Sequence, residues 1–111
     1  MKIRTQISPG ICNFDVTVTA CTEDDQNVNF EFISECETIK AFAQQIDAIS
    51  PVDAILTLGP EENPILLEAR KLLKTKGCCE ACVVPVGAVK IMQIATKLAL
   101  PQDVVLTMTQ E

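Results

Sequence analysis

The residues in this chain that can do chemistry are its cysteines: Cys12, Cys21, Cys36, Cys78, Cys79 and Cys82, in 111 residues without a histidine. Thiolates bind soft metals and exchange disulfides, whereas a buried thiol behaves as a small hydrophobe. Without histidine no serine–histidine or cysteine–histidine dyad can form. The four glycines make no phosphate-cradling loop, and no G-x-G or G-K-[ST] pattern occurs. The acidic run Glu23-Asp24-Asp25 lacks the spacing of a calcium loop and reads as a solvated turn. No conventional acid–base pair is visible, so the reading leans away from an enzyme.

The spacing sorts the cysteines. Cys79-Glu80-Ala81-Cys82 is a C-x-x-C immediately ahead of an apolar helix that Pro85 helps to start. Cys36 falls at the second position of a helix opened by the capping box Ser34-Glu35-Cys36-Glu37, with Ser34 as N-cap. Cys12 follows Gly10-Ile11 in the turn between two strands. Helix N-termini favour a thiolate through their backbone N–H groups and dipole, although Glu35 and Glu37 oppose that effect at Cys36. If both helices pack on one sheet face, Cys12, Cys36, Cys79 and Cys82 meet as a four-sulfur site, with Cys78 as a substitute. Such a set suits zinc or an iron–sulfur cluster. Cys21, at a strand end, and Cys78, after Gly77, read as background.

Two alternatives use the same residues. The C-x-x-C ahead of a helix has the placement of a thiol–disulfide exchange motif, but no βαβ unit precedes it. A non-catalytic interaction module with buried cysteines needs no ligand at all. One C-x-x-C is a weaker signal than the paired knuckles of zinc modules.

These residues are positioned by alternating runs followed by helical ones. Residues 2–8 put Ile3, Thr5 and Ile7 on one strand face. Asn13 to Cys21 puts Phe14, Val16, Val18 and Ala20 inward, and Asn27 to Ile33 does the same with Val28, Phe30 and Phe32. Ile39, Phe42, Ala43, Ile46 and Ile49 then form a helical stripe, stopped at Ser50-Pro51. Residues 53–58 are ambiguous between a short strand, an irregular core segment and a helical turn. Asn63-Pro64 opens a second helix over Ile65, Leu66, Ala69, Leu72 and Leu73; Lys71, Lys74 and Lys76 complement its C-terminal dipole and Gly77 stops it. A third, most apolar helix is predicted from about Pro85 to Ala99, and Val104 to Thr109 alternates as a final strand. The order βββα(β?)ααβ predicts one α+β domain over residues 1–111, a two-layer fold with a mostly antiparallel sheet and helices on one face.

Composition bounds the rest. Hydrophobic residues make up 48%, enough for a real core, but four Phe and no Trp or Tyr make it aliphatic and leave little for base stacking. The net charge of −6 argues against nucleic acid as a partner. The N-terminal residues lack the apolar run of a signal peptide, and the stretch from Ala81 to Val89 is too short to span a bilayer. A cytoplasmic protein without membrane contact is expected, where close cysteines favour metal or redox chemistry over structural disulfides. A protein partner or self-association stays open.

Ile11-Cys12-Asn13-Phe14, Ser34-Glu35-Cys36, Cys82-Val83-Val84-Pro85 and Ala99-Leu100-Pro101-Gln102-Asp103 together resemble a small uncharacterised family of anaerobic bacteria and archaea, methanogens included. That family's pattern runs I-C-G-F, S-x-C, C-P-V-P into an apolar helix, and A-L-P-x-D, in the same order over most of the chain. Asn13 stands where the pattern has glycine and Val83 where it has the first proline, which questions the loop geometry. The pattern places histidine near Cys79, an exchange that keeps a metal-binding group there. The resemblance implies Cys12, Cys36 and Cys82 as a set and supplies no reaction.

Overall fold

A computed structural model describes the backbone of residues 1–74 and 77–111 and the side chains of 1–74 and 79–111. Among these residues, β1 (Lys2–Ile7), β2 (Val16–Cys21), β3 (Asn27–Ser34) and β4 (Val52–Asp53) form an antiparallel sheet in sequence order. The pairing sets Ile3, Ala20 and Phe30 in one cross-strand row and Ile7, Val16 and Ser34 in another. Alternation along the strands therefore yields one apolar face and one polar face that carries Lys2, Arg4, Thr17, Thr19 and Glu31.

Helices cover the apolar face. α1 (Glu37–Ile49) buries Ile39, Phe42 and Ile46 over β3, and Phe42 meets Phe32 edge-on with ring centroids 5.5 Å apart. α4 (Val84–Ala95) lies over β1 and β2 and buries Val84, Pro85, Ala88, Ile91, Met92 and Ala95. Gly87 permits this approach: a Cβ there would sit 2.6 Å from Ile7 Cδ1. α2 (Pro64–Leu73) packs against α1 and α4 through Ile65, Ala69 and Leu73. Its Asn63 side chain accepts the Ile65 N–H at 2.9 Å, the cap expected from Asn63-Pro64. The short α3 (Gly77–Glu80) precedes α4. The fold is the two-layer α+β arrangement the sequence predicts.

Three elements differ from expectation, and a segment left open is resolved. The capping box at Ser34 does not form, because β3 runs on to Ser34, which pairs with Val16, and the N-cap moves to Cys36. The strand predicted from Asn13 begins at Val16, leaving Phe14 exposed. The ambiguous segment is β4 at Val52–Asp53, followed by a 3-10 turn at Leu56–Leu58. Gly77 opens α3 rather than closing α2, whose C-cap is Lys74; the predicted place of Lys76 in that last turn lies outside the described residues.

The end of the chain differs most. α4 stops at Ala95, where Lys97 at φ 66° turns the backbone and the Leu98 N–H donates to the Gln93 carbonyl at 2.8 Å. Residues 104–109 form no strand, and everything from 97 to 111 is exposed.

Candidate functional site

The two ends of the sheet are built differently. At one end Asp24 organises the β2–β3 turn: its carboxylate accepts the Asn27 amide side chain at 2.8 Å and the Asn27 and Gln26 backbone N–H groups at 2.7 and 2.9 Å. Those bonds, the Asn27 side chain foremost, hold its carboxyl far below the usual carboxylate range. Lys97, just past α4, pairs with Asp25 at 3.0 Å at this same end.

The opposite end collects the cysteines. The row Ile7, Val16, Ser34 marks it. Cys12 lies in the loop joining Ile7 to Val16, Cys36 follows Ser34 by two residues, and the first turn of α4 rests on Ile7 through Gly87. Cys82 directly precedes that turn.

Cys12 is exposed in a tight bend closed by the Asn13 N–H donating to the Gly10 carbonyl at 2.9 Å. Asn13 takes φ 61°, a left-handed conformation that glycine adopts freely and asparagine tolerates. The exchange of glycine for Asn13 thus keeps a backbone that either residue can supply.

Cys36 is half-buried against the core as the N-cap of α1. Its N–H donates to Ser34 Oγ at 3.1 Å and its carbonyl accepts the Lys40 N–H at 3.0 Å, but its sulfur makes no capping bond. Placement at the helix N-terminus was expected; the position is the cap itself and not the second residue.

Cys79 and Cys82 are both half-buried and packed on the core, joined across one turn by the Cys82 N–H donating to the Cys79 carbonyl at 3.1 Å. The Cys82 sulfur accepts the N–H of Val84, the first residue of α4. Burial nevertheless wins and pushes the Cys82 thiol up. The Val84 bond opposes this, and the like charges of Cys12, Cys79 and Cys36 add to it. The three groups whose charge acts on Cys82 are therefore the three proposed as its partners from sequence.

The remaining cysteines stand apart. Cys21 lies on the polar face at the Asp24 end of β2. The Cys78 side chain, expected as background or as a substitute ligand, lies outside the described residues. The described cysteines are thiols, not disulfides. Among the described residues no group of three or more histidine, cysteine, aspartate or glutamate side chains is already closed around a metal position. Cys82 thus has its three neighbours within electrostatic reach but not at the spacing of ligands on one ion.

One feature went unread in the sequence. A groove of about 470 Å³ opens beside Cys82 between α2 and α4, with Arg70, Lys74 and Glu80 on its wall. The basic residues near the end of α2 read from sequence only as partners of its dipole. Their closeness in sequence to the C-x-x-C was the available signal.

Fold and site define a two-layer α+β domain with Cys12, Cys36 and Cys82 gathered at one end of its sheet. The chain belongs to the Family of unknown function (DUF6951), whose model matches residues 3–108. No curated protein and no solved structure matches it. Among the described residues no helix is long and apolar enough to cross a membrane.

Proposed function

We propose that Cys12, Cys36, Cys79 and Cys82 serve together as thiolate ligands of a zinc ion or an iron–sulfur centre. The observation that supports this reading is that the Cys12 loop, the Cys36 cap of α1 and Cys82 ahead of α4 all lie at the Ile7–Val16–Ser34 end of the sheet. Neighbouring thiolates without a counter-charge repel one another, and a soft cation reverses that repulsion into attraction. Two of the four side chains are suited to closing on an ion: Cys12 rides on an exposed loop and Cys79 on the four-residue α3. Cys36 and Cys82 sit at the starts of α1 and α4, where backbone N–H groups offset thiolate charge. A bound cation supplies charge neutralisation and cross-links the sheet end to two helices.

Thiol–disulfide exchange between Cys79 and Cys82 is the second reading, favoured by the single turn that joins them. Against it, burial raises the Cys82 pKa and so lowers the share of the reactive thiolate.

Elemental analysis and absorption spectra of anaerobically purified protein test the proposal. The expected result is close to one metal site per chain, lost in Cys12→Ala or Cys82→Ala. Less than about 0.2 equivalents of any transition metal, unchanged after reconstitution, overturns it. A reversible Cys79–Cys82 disulfide found by differential alkylation in metal-free protein transfers support to the second reading.

A further inference from the structure

The tail beyond α4 carries the sequence of a strand without the pairing of one. Val104, Leu106 and Met108 fall on one face of an extended chain, and Asp103, Val105, Thr107, Thr109 and Glu111 on the other. In the structure all are exposed, Leu106 at 68% and Met108 at 87%. The family model extends through residue 108, so all but the last residue of 104–109 lies within the matched region.

A sheet edge of matching pattern is open in the same molecule. β1 is the first strand in the sheet order and, among the described residues, pairs only with β2. Its Ile3 and Ile7 are only half-buried on the helix side, while Lys2 and Arg4 lie exposed on the other. A strand laid against this edge with Leu106 facing the helices extends the apolar layer past Ile3 and Ile7. The same register puts Asp103 and Glu111 on the face that carries Lys2 and Arg4. Lengths agree as well: six residues of β1 face six from 104 to 109, each spanning about 20 Å.

We propose that residues 104–109 form the outer strand on β1 of a second copy of this chain, reciprocally, giving a two-fold dimer by strand exchange. Within one chain the segment leaves α4 through the turn at Lys97, which is tied to Asp25, and stays exposed and without strand pairing. A single chain thus displays both an unpaired edge and an unpaired apolar strand, the combination that leads to uncontrolled association. Reciprocal exchange occupies both edges with both tails and closes the assembly at two copies. This inference does not depend on the cysteine reading.

Sedimentation equilibrium of the full chain tests it, with a mass of two 12.1 kDa chains expected. Leu106→Asp changes an exposed residue, so the domain keeps its fold and melting behaviour while the dimer dissociates, its dissociation constant rising on the order of 100-fold. In the antiparallel register that pairs Ile7 with Val104, Glu111 lies diagonally across from Lys2, so Lys2→Glu weakens the dimer roughly threefold and adding Glu111→Lys restores it. Amide exchange at 104–109 slows in the dimer and is fast in the Leu106→Asp protein. A full chain that stays monomeric at about 100 μM overturns the proposal, whether its tail amides are unprotected or protected by its own edge. So does a dimer that Leu106→Asp leaves intact.

Discussion

Replacing Cys36 with serine should stabilise the metal-free protein and abolish metal binding. Cys36 occupies the N-cap of α1, yet its side chain accepts no hydrogen bond from the first turn. Serine at an N-cap takes one of those N–H groups and is worth about 1 kcal/mol over a residue that does not cap. Against this, the half-buried sulfur packs on the core, and exchanging it for a hydroxyl forfeits about 0.5 kcal/mol of apolar burial. The net gain is about 0.5 kcal/mol, or roughly 2–4 °C in melting temperature for a domain of this size. Cys36→Ala loses the burial without gaining the cap, so metal-free proteins should rank serine above cysteine above alanine. Thermal melts in chelator establish that ranking. Repeating them with zinc should lift cysteine above serine and leave serine above alanine, because only the cysteine protein gains the linkage free energy of the bound ion. A serine protein that melts below the alanine protein in chelator refutes the capping argument. A serine protein that keeps full metal content refutes the place of Cys36 in the site.

Three further outcomes test the geometry around it. Because burial raises the Cys82 thiol above its unfolded value near 8.5, its contribution in metal-free protein is complete below that pH and is lost as pH rises towards the folded value. Urea midpoints should therefore fall on the alkaline side, and Cys82→Ala should flatten that fall. Asp24 works in the opposite direction: its lowered pKa stabilises the fold above about pH 4 and the gain is lost on acidification. Asp24→Ala should be less stable at neutral pH than the parent and show a shallower acid limb in the same titration. Gly87→Ala gains about 1 kcal/mol of helix propensity but must displace the end of the Ile7 side chain, so its urea midpoint should barely move. In an Ile7→Val background, which removes that atom, the same change should stabilise by about 1 kcal/mol; equal effects in both backgrounds would show that the Gly87–Ile7 contact is not limiting.

The sheet was legible in the sequence because one buried face forces period-two alternation, and α2 because Asn63-Pro64 is a local signal that needs no partner. The failures share a cause. Ser34-Glu35-Cys36-Glu37 contains a sound capping box, but Ser34 is held extended by its pairing with Val16, a contact 18 positions away that the four residues do not encode. Val104 to Thr109 alternates as a strand should, yet alternation specifies a face and not a neighbour. The cysteine neighbourhood was inferred from helix starts, and the topology does bring those starts to one end of the sheet. Local pattern carries no spacing between a loop and a helix end, so how closely the four sulfurs approach was beyond its reach.

The contrast between the two sheet ends bears on what the cysteines are for. At the Asp24 end the rules of stable folding are followed closely: a turn carboxylate takes several donors, Lys97 pairs with Asp25, and the N-terminal ammonium donates to the Thr22 carbonyl at 2.7 Å. At the cysteine end the same rules are repeatedly set aside. A helix cap holds a residue that does not cap, and a half-buried thiol lies within electrostatic reach of three others. Serine at position 36 would serve stability better, and small aliphatic residues would pack without mutual repulsion at 79 and 82. Sequences that depart from local rules at one place while obeying them elsewhere usually do so at functional sites. Buried-packing cysteines explain each departure separately and only as a cost. The proposed soft cation, held by all four sulfurs, would account for both together, since it would turn the uncapped position and the neighbouring thiols into ligands.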